Sequence, residues 1–70
     1  MTFKNMKIKV ENNLDEIVGE FEYKGYVRCY MTDMQPKTVC AYHDGFICSF
    51  SSEISEFNGR LTTLAELKEM

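Results

Sequence analysis

Residues 13–30, NLDEIVGEFEYKGYVRCY, decide the fold, because they support two readings that build different sheets. Leu14, Ile17, Val18 and Phe21 recur at helical spacing, and Asn13 with Glu16 has the form of an N-terminal capping pair. Ile17, Gly19 and Phe21 also alternate with Val18, Glu20 and Glu22, which is the period of a strand. A glycine inside a helix is about 1 kcal/mol worse than alanine, so Gly19 weighs against the helix. Register favours the strand. With Tyr23-Lys24-Gly25 as a three-residue hairpin loop and Gly25 at its left-handed position, Glu22 lies opposite Tyr26 and Glu20 opposite Arg28. The pairing continues through Phe21 with Val27, Val18 with Tyr30 and Ile17 with Met31. One face then gathers Ile17, Phe21, Val27, Cys29 and Met31. The other gathers Glu20, Glu22, Tyr26, Arg28 and Tyr30, with opposite charges facing each other. That segregation predicts a strand over Leu14–Phe21.

Outward from this stretch, Met6, Ile8 and Val10 alternate with Lys7 and Lys9 as a half-buried first strand, and Asn12-Asn13 suits a tight turn. Asp33 to Lys37, with Pro36, break the chain again. Thr38–His43 and Phe46–Ser51 flank Asp44-Gly45, a strong short-range hairpin signal. A two-residue turn would pair His43 with Phe46, Ala41 with Cys48 and Val39 with Phe50. Cys40, Tyr42, Ile47 and Ser49 would occupy the opposite face. Asn58-Gly59 offers a further short hairpin between Ile54–Phe57 and Arg60–Thr62. Thr63 and Glu66 have the spacing of a capping box, opening a last helix that carries Leu64, Leu67 and Met70. So short a helix is unstable alone and must dock. The expected architecture is one α+β domain over residues 1–70: an antiparallel meander of about five strands with one short C-terminal helix packed on it.

Composition bounds the function. The chain has 70 residues, 44% hydrophobic and 27% charged, an ordinary globular mixture. No apolar run approaches the ~18 residues of a membrane span, and the start lacks the charged-then-apolar form of a secretion signal. The three cysteines, Cys29, Cys40 and Cys48, are an odd number, which fits reduced thiols in a cytoplasm better than a disulfide framework. A core this small leans on a partner or a second copy for stability.

Chemistry-bearing clusters are few. Cys29, Cys40, His43 and Cys48 are zinc-type ligands, but they lack the paired knuckle spacing of a structural site, and the expected register turns Cys40 away from Cys48 and from His43. His43 and Cys48 could approach across the hairpin as a nucleophile pair, without an orienting third group or an oxyanion donor. Asp15, Glu16, Glu20, Glu22, Glu53, Glu56, Glu66 and Glu69 read as a solvated face, with no pair set apart for acid–base work. No phosphate loop or nucleophile elbow is present. The expectation is a non-enzymatic protein without metal or cofactor.

What remains is surface. Tyr and Arg are the residues that anchor protein interfaces, so Glu20, Glu22, Tyr26, Arg28 and Tyr30 form the expected partner-binding face. The sequence thus suggests a small intracellular binding protein that occupies a surface of another macromolecule. It would act as a regulator or inhibitor, such as one encoded by a virus or mobile element against a host protein. The net charge of −3 would steer it toward a basic surface on a protein partner. Self-association into a homodimer through a sheet edge is a further expectation. The first alternative is a single-stranded nucleic-acid-binding module, since aromatics on a sheet near Lys4, Lys7, Lys9, Lys24, Arg28 and Lys37 fit stacking. Against it, those six basic residues before Thr38 are matched by six acidic ones. A small Cys/His zinc domain is the second alternative.

Overall fold

A computed structural model describes residues 3–52 and 57–70. Strand β1 (Met6–Lys9) buries Met6 and Ile8 and turns Lys7 and Lys9 to the other face, as the alternation predicts. Asn12 then takes a left-handed φ of 61° in the turn that follows. Asn13 does not cap the next element with its side chain; its Oδ1 accepts instead from the Glu11 N–H at 2.9 Å.

The next element corrects the expected strand. Leu14–Tyr23 is a helix, α1, and it buries Ile17, Val18 and Phe21. Full burial of a large apolar side chain is worth about 1.5–3 kcal/mol, so three of them outweigh the single glycine penalty. Gly19 lies on the exposed side, where an added Cβ would meet nothing within 4 Å.

Gly25 does take a left-handed φ of 100°, but as a helix stop and not as a hairpin bulge. The Gly25 N–H donates to the Glu22 carbonyl and the Tyr26 N–H to the Phe21 carbonyl, both at 3.0 Å. This pair of bonds is the Schellman closure, and its usual apolar contact is supplied by Phe21 and Tyr26, edge to face at 5.1 Å.

Because a helix replaces the expected strand, β2 (Val27–Met31) cannot pair back on it. The helix carries the chain across the sheet, and β2 runs parallel to β4 (Phe46–Phe50), while β3 (Thr38–Ala41) is antiparallel to both β4 and β1. Strand β5 (Arg60–Thr62) lies parallel on β1, so the expected Asn58-Gly59 hairpin is not the source of its pairing. The arm of that hairpin at Ile54, and the carboxylates Glu53 and Glu56, fall outside the described residues. The strand order is β2-β4-β3-β1-β5. The sheet is therefore mixed, with β3 alone running against the rest, and not an antiparallel meander. β1-α1-β2 forms a split parallel unit, and the β3–β4 hairpin fills the gap between its strands.

That hairpin forms at Asp44-Gly45 as predicted, one residue out of the predicted register. The Tyr42 N–H donates to the Phe46 carbonyl at 2.8 Å, enclosing His43-Asp44-Gly45 as a three-residue loop with Gly45 at φ 93°. A left-handed third residue after a type I turn is the usual form of this loop. The partners become Ala41 with Ile47, Cys40 with Cys48 and Val39 with Ser49. A shift of one exchanges the two faces of a strand, so Ile47 enters the core and Cys48 leaves it.

The second helix, α2 (Leu64–Glu69), starts as the sequence predicts. The Thr63 hydroxyl accepts from the Glu66 N–H at 3.2 Å, and Glu66 is also paired with Arg60 at 2.9 Å. Leu67 is fully buried, whereas Met70 stays exposed. Ile17, Val18, Phe21 and Leu67 pack with Met6, Ile8, Val39, Ala41 and Ile47 in one core. Both helices thus serve the same face of the sheet.

Candidate interaction surface

The face away from the helices is built by strand alternation. β3 turns Thr38, Cys40 and Tyr42 toward it, and the register adds Lys7 and Lys9 from β1, Leu61 from β5, and Phe46, Cys48 and Phe50 from β4. On β2, Val27 partners Phe46, and a bulge follows: Arg28 partners Ile47, while Tyr30 partners Cys48. The extra residue is Cys29. A bulge places two residues against one, so Cys29 and Tyr30 follow each other onto this face and Met31 returns to the core side.

Over β3 the face is largely closed, while Lys9 on β1 and Leu61 on β5 stay exposed. Thr38 and Cys40 are buried, and the Phe57 ring meets Tyr42 edge-on at 5.1 Å. Over β2 and β4 it is open. Val27 is 57% exposed, Tyr30 54% and Phe46 41%, with Tyr30 tilted over Phe50 at 5.9 Å. β2 is also a sheet edge, and four of its five residues are exposed. An aromatic and aliphatic patch is therefore joined to a strand edge that no described strand pairs with.

The five residues expected to share a binding face are dispersed. Tyr26 is buried, with Phe3 at 4.7 Å and Phe21 at 5.1 Å edge-on, and its hydroxyl donates to the Lys4 carbonyl at 3.2 Å. Glu20 lies on α1 beside Lys24 at 3.6 Å. Arg28 is on the helix side of β2 and grips Glu22 through Nε and Nη2, each at 3.2 Å. Tyr30 alone of the five faces the open patch. Phe46 and Phe50 change side with the one-residue shift of the hairpin, which a three-residue loop would have indicated. Val27 changes side because α1 replaces the expected strand and β2 pairs with β4, a pairing for which no local signal exists.

Cys29, Cys48 and Cys40 form a transverse row on three adjacent strands, a convergence that corrects the expected placement of Cys40 and Cys48 on opposite faces. All three are free thiols. Burial pushes the Cys40 thiol up from 9.0 to about 11, with Cys48 adding to the effect and Lys7 opposing it. Burial also raises Cys48, with Cys29 adding to the rise and the Tyr30 backbone and Tyr42 opposing it. Tyr42 is raised by burial first and then by the neighbouring thiols. His43 sits apart from this row, exposed in the hairpin loop, where its backbone N–H donates to Asn5 Oδ1 at 2.7 Å. Among the described residues no group of three or more His, Cys, Asp or Glu side chains is arranged to hold a metal ion.

A groove of about 450 Å³ on the other side is lined by Phe3, Met6, Tyr26 and Met70 with Lys24 and Arg60. Both of those cations are already engaged, Lys24 with Glu20 and the Met70 carbonyl and Arg60 with Glu66. No helix among the described residues is long and apolar enough to cross a membrane. No family model, curated protein or solved structure matches the chain.

Proposed function

We propose that the chain is a small non-enzymatic binding protein that occupies a surface of a protein partner and regulates or inhibits it. The contact is the β2–β4 half of the open sheet face, with Val27, Tyr30 and Phe46 as anchors. One observation carries this: three large side chains, each at least two-fifths exposed, lie side by side on a sheet face that neither helix covers. Contiguous exposed apolar area beside an unpaired edge is what protein docking uses. The partner surface is basic. Of the four acids on α1, Glu16, Glu20 and Glu22 pair with Lys68, Lys24 and Arg28 while Asp15 adds a further negative charge, and the net charge is −3. The free thiols are in keeping with a reducing, cytoplasmic setting.

A second reading, single-stranded nucleic-acid binding, draws on Lys7 and Lys9, which share the face with the aromatics. It is the weaker one. The exposed aromatics sit on β2 and β4, and β3 separates them from the lysines of β1. At a strand spacing of about 4.8 Å, Tyr30 and Lys9 are on the order of 14 Å apart across the sheet.

The test is affinity capture from the native host with the wild-type chain and with Tyr30→Ala/Phe46→Ala, followed by titration of the purified partner. Binding should fall at least tenfold in the double variant while circular dichroism is unchanged. Undiminished affinity in a folded double variant would remove this face. Steeply salt-dependent binding to a single-stranded oligonucleotide, lost with Lys9→Ala, would replace the protein reading with the nucleic-acid one. A dimer in light scattering that Tyr30→Ala/Phe46→Ala dissociates would make the partner a second copy.

A further inference from the structure

The row of thiols has a gradient of access: Cys29 is exposed, Cys48 is 8% exposed and Cys40 is fully buried. Cys40 is the direct cross-strand partner of Cys48, and the β2 bulge sets Cys29 against Cys48 from the other side. Cys40 and Cys48 are thus directly opposed, and Cys29, the bulge residue next to Tyr30, adjoins Cys48 from the neighbouring strand, where strands lie about 4.8 Å apart. Access and proximity together distinguish the three.

We infer that Cys29 and Cys48 are a peroxide-responsive pair, in which Cys29 takes the oxidant and Cys48 resolves it as an intramolecular disulfide. The oxidant is a hydroperoxide. The Cys29 thiolate attacks its terminal oxygen, the O–O bond breaks, and an alcohol or water leaves with the thiol proton, giving a sulfenic acid. Cys48, as thiolate, then attacks the Cys29 sulfur. The S–O bond breaks, water leaves with the second proton, and the S–S bond forms. Two thiols supply the two electrons that reduce the peroxide.

Beside the exposed Cys29, Cys48 does not compete for the oxidant, because it is covered and its burial disfavours the thiolate. It needs only to reach a sulfur already beside it, where proximity compensates for weak nucleophilicity. Tyr42, two residues beyond Cys48's partner Cys40 and on the same face, opposes the rise and so favours the Cys48 thiolate at that step. Cys40 is excluded from the first step by its burial and from the second by the interposed Cys48. The bond would tie the edge strand β2 to β4 at the bulge, directly beside Tyr30. This chemistry stands whether or not the open face binds a partner.

The test uses the whole reduced chain with one equivalent of hydrogen peroxide at neutral pH, then alkylation, intact mass and peptide mapping. The expected product is a monomer lighter by two hydrogens, with a Cys29–Cys48 link and with Cys40 alkylated only after unfolding. Its thermal midpoint should rise by several degrees and return on reduction. Cys29→Ser should abolish the link, and Cys48→Ala should leave a sulfenic acid that dimedone traps at Cys29. Three outcomes overturn the inference: a Cys29–Cys29 dimer, a Cys40–Cys48 link, or Cys29 driven to sulfinic acid while Cys48 remains a thiol. Mapping of the wild-type chain decides the matter even if a variant fails to fold.

Discussion

Alanine at Tyr26 and at Tyr30 should have opposite consequences, although both are tyrosines within five residues of each other. The Tyr26 ring is 6% exposed and held edge-on by Phe3 at 4.7 Å and Phe21 at 5.1 Å. Truncating a buried aromatic to alanine costs about 3–5 kcal/mol. A domain of this length has roughly 4–10 kcal/mol of total stability, so Tyr26→Ala removes a third of it or more. Tyr30 is more than half exposed and touches Phe50 only in a tilted contact at 5.9 Å, so Tyr30→Ala should cost about 0.5–1 kcal/mol. Tyr26→Phe isolates the hydroxyl, whose two bonds to the Lys4 backbone are long at 3.2 and 3.3 Å. It should cost no more than about 1 kcal/mol. Urea denaturation followed by far-ultraviolet circular dichroism is the suitable assay, since the chain has no tryptophan. With a slope of about 1 kcal/mol per M, the two alanine midpoints should differ by roughly 3 M. Equal midpoints would refute the placement of Tyr26 in the core. With the midpoint of Tyr26→Ala lowered as expected, a loss of partner binding in that variant reports unfolding and not a contact.

Other consequences are as direct. Because the folded Cys40 thiol is raised from 9.0 to about 11, the unfolded chain ionises first and stability is lost as pH rises through that interval. The loss is on the order of 2 kcal/mol, and Cys40→Ala should flatten most of the alkaline limb of a stability–pH curve, with the raised Cys48 and Tyr42 leaving a residue of the same sign. Gly19→Ala, at a position where a Cβ meets nothing, should stabilise by about 0.5–1 kcal/mol in the same urea assay. Gly45→Ala, at φ +93° with its Cβ 3.1 Å from the Phe3 ring, should instead destabilise by about 1–2 kcal/mol. Thr63→Ala removes the cap of α2 and should cost about 1 kcal/mol, with faster amide exchange around Leu67.

The legible parts of this fold are those fixed by local chemistry. β1, the Asp44-Gly45 turn and the Thr63–Glu66 cap each depend on residues within a few positions of one another, and each forms where the sequence places it. Leu14–Tyr23 was misleading because its apolar residues satisfy both periods, and the tie was broken by a pairing that presupposed a hairpin at Gly25. The left-handed glycine was correctly located, but such a residue ends helices as readily as it closes hairpins. The β3–β4 register failed for a narrower reason. Asp-Gly suits both two-residue and three-residue loops, and the difference of one residue decides whether Ile47 or Cys48 lies inward. The candidate site inherited both errors, so Tyr30 kept its place while Glu20, Glu22, Tyr26 and Arg28 moved to the helix side or into the core. The parallel pairing of β2 with β4 had no local signal at all, since it follows from where α1 delivers the chain.

The separation of charge from apolar contact has a kinetic consequence for the binding proposed. The acids of α1 lie on the helix layer, whereas Val27, Tyr30 and Phe46 lie on the far side of the sheet. The two surfaces meet only along the β2 edge, where Glu22 holds Arg28. Charges act over a Debye length of about 8 Å at physiological salt, so α1 can steer an approaching basic partner without touching it. Dispersion and apolar burial act only on contact. Glu16→Gln/Glu20→Gln should therefore lower the association rate severalfold and weaken its salt dependence, with little effect on dissociation. Tyr30→Ala/Phe46→Ala should do the reverse, raising the dissociation rate tenfold or more at a nearly constant association rate. Surface plasmon resonance at two ionic strengths separates these terms. If the carboxylate variant changed dissociation instead, the acids of α1 would be inside the interface, and the partner would sit on the helix layer and not on the open sheet.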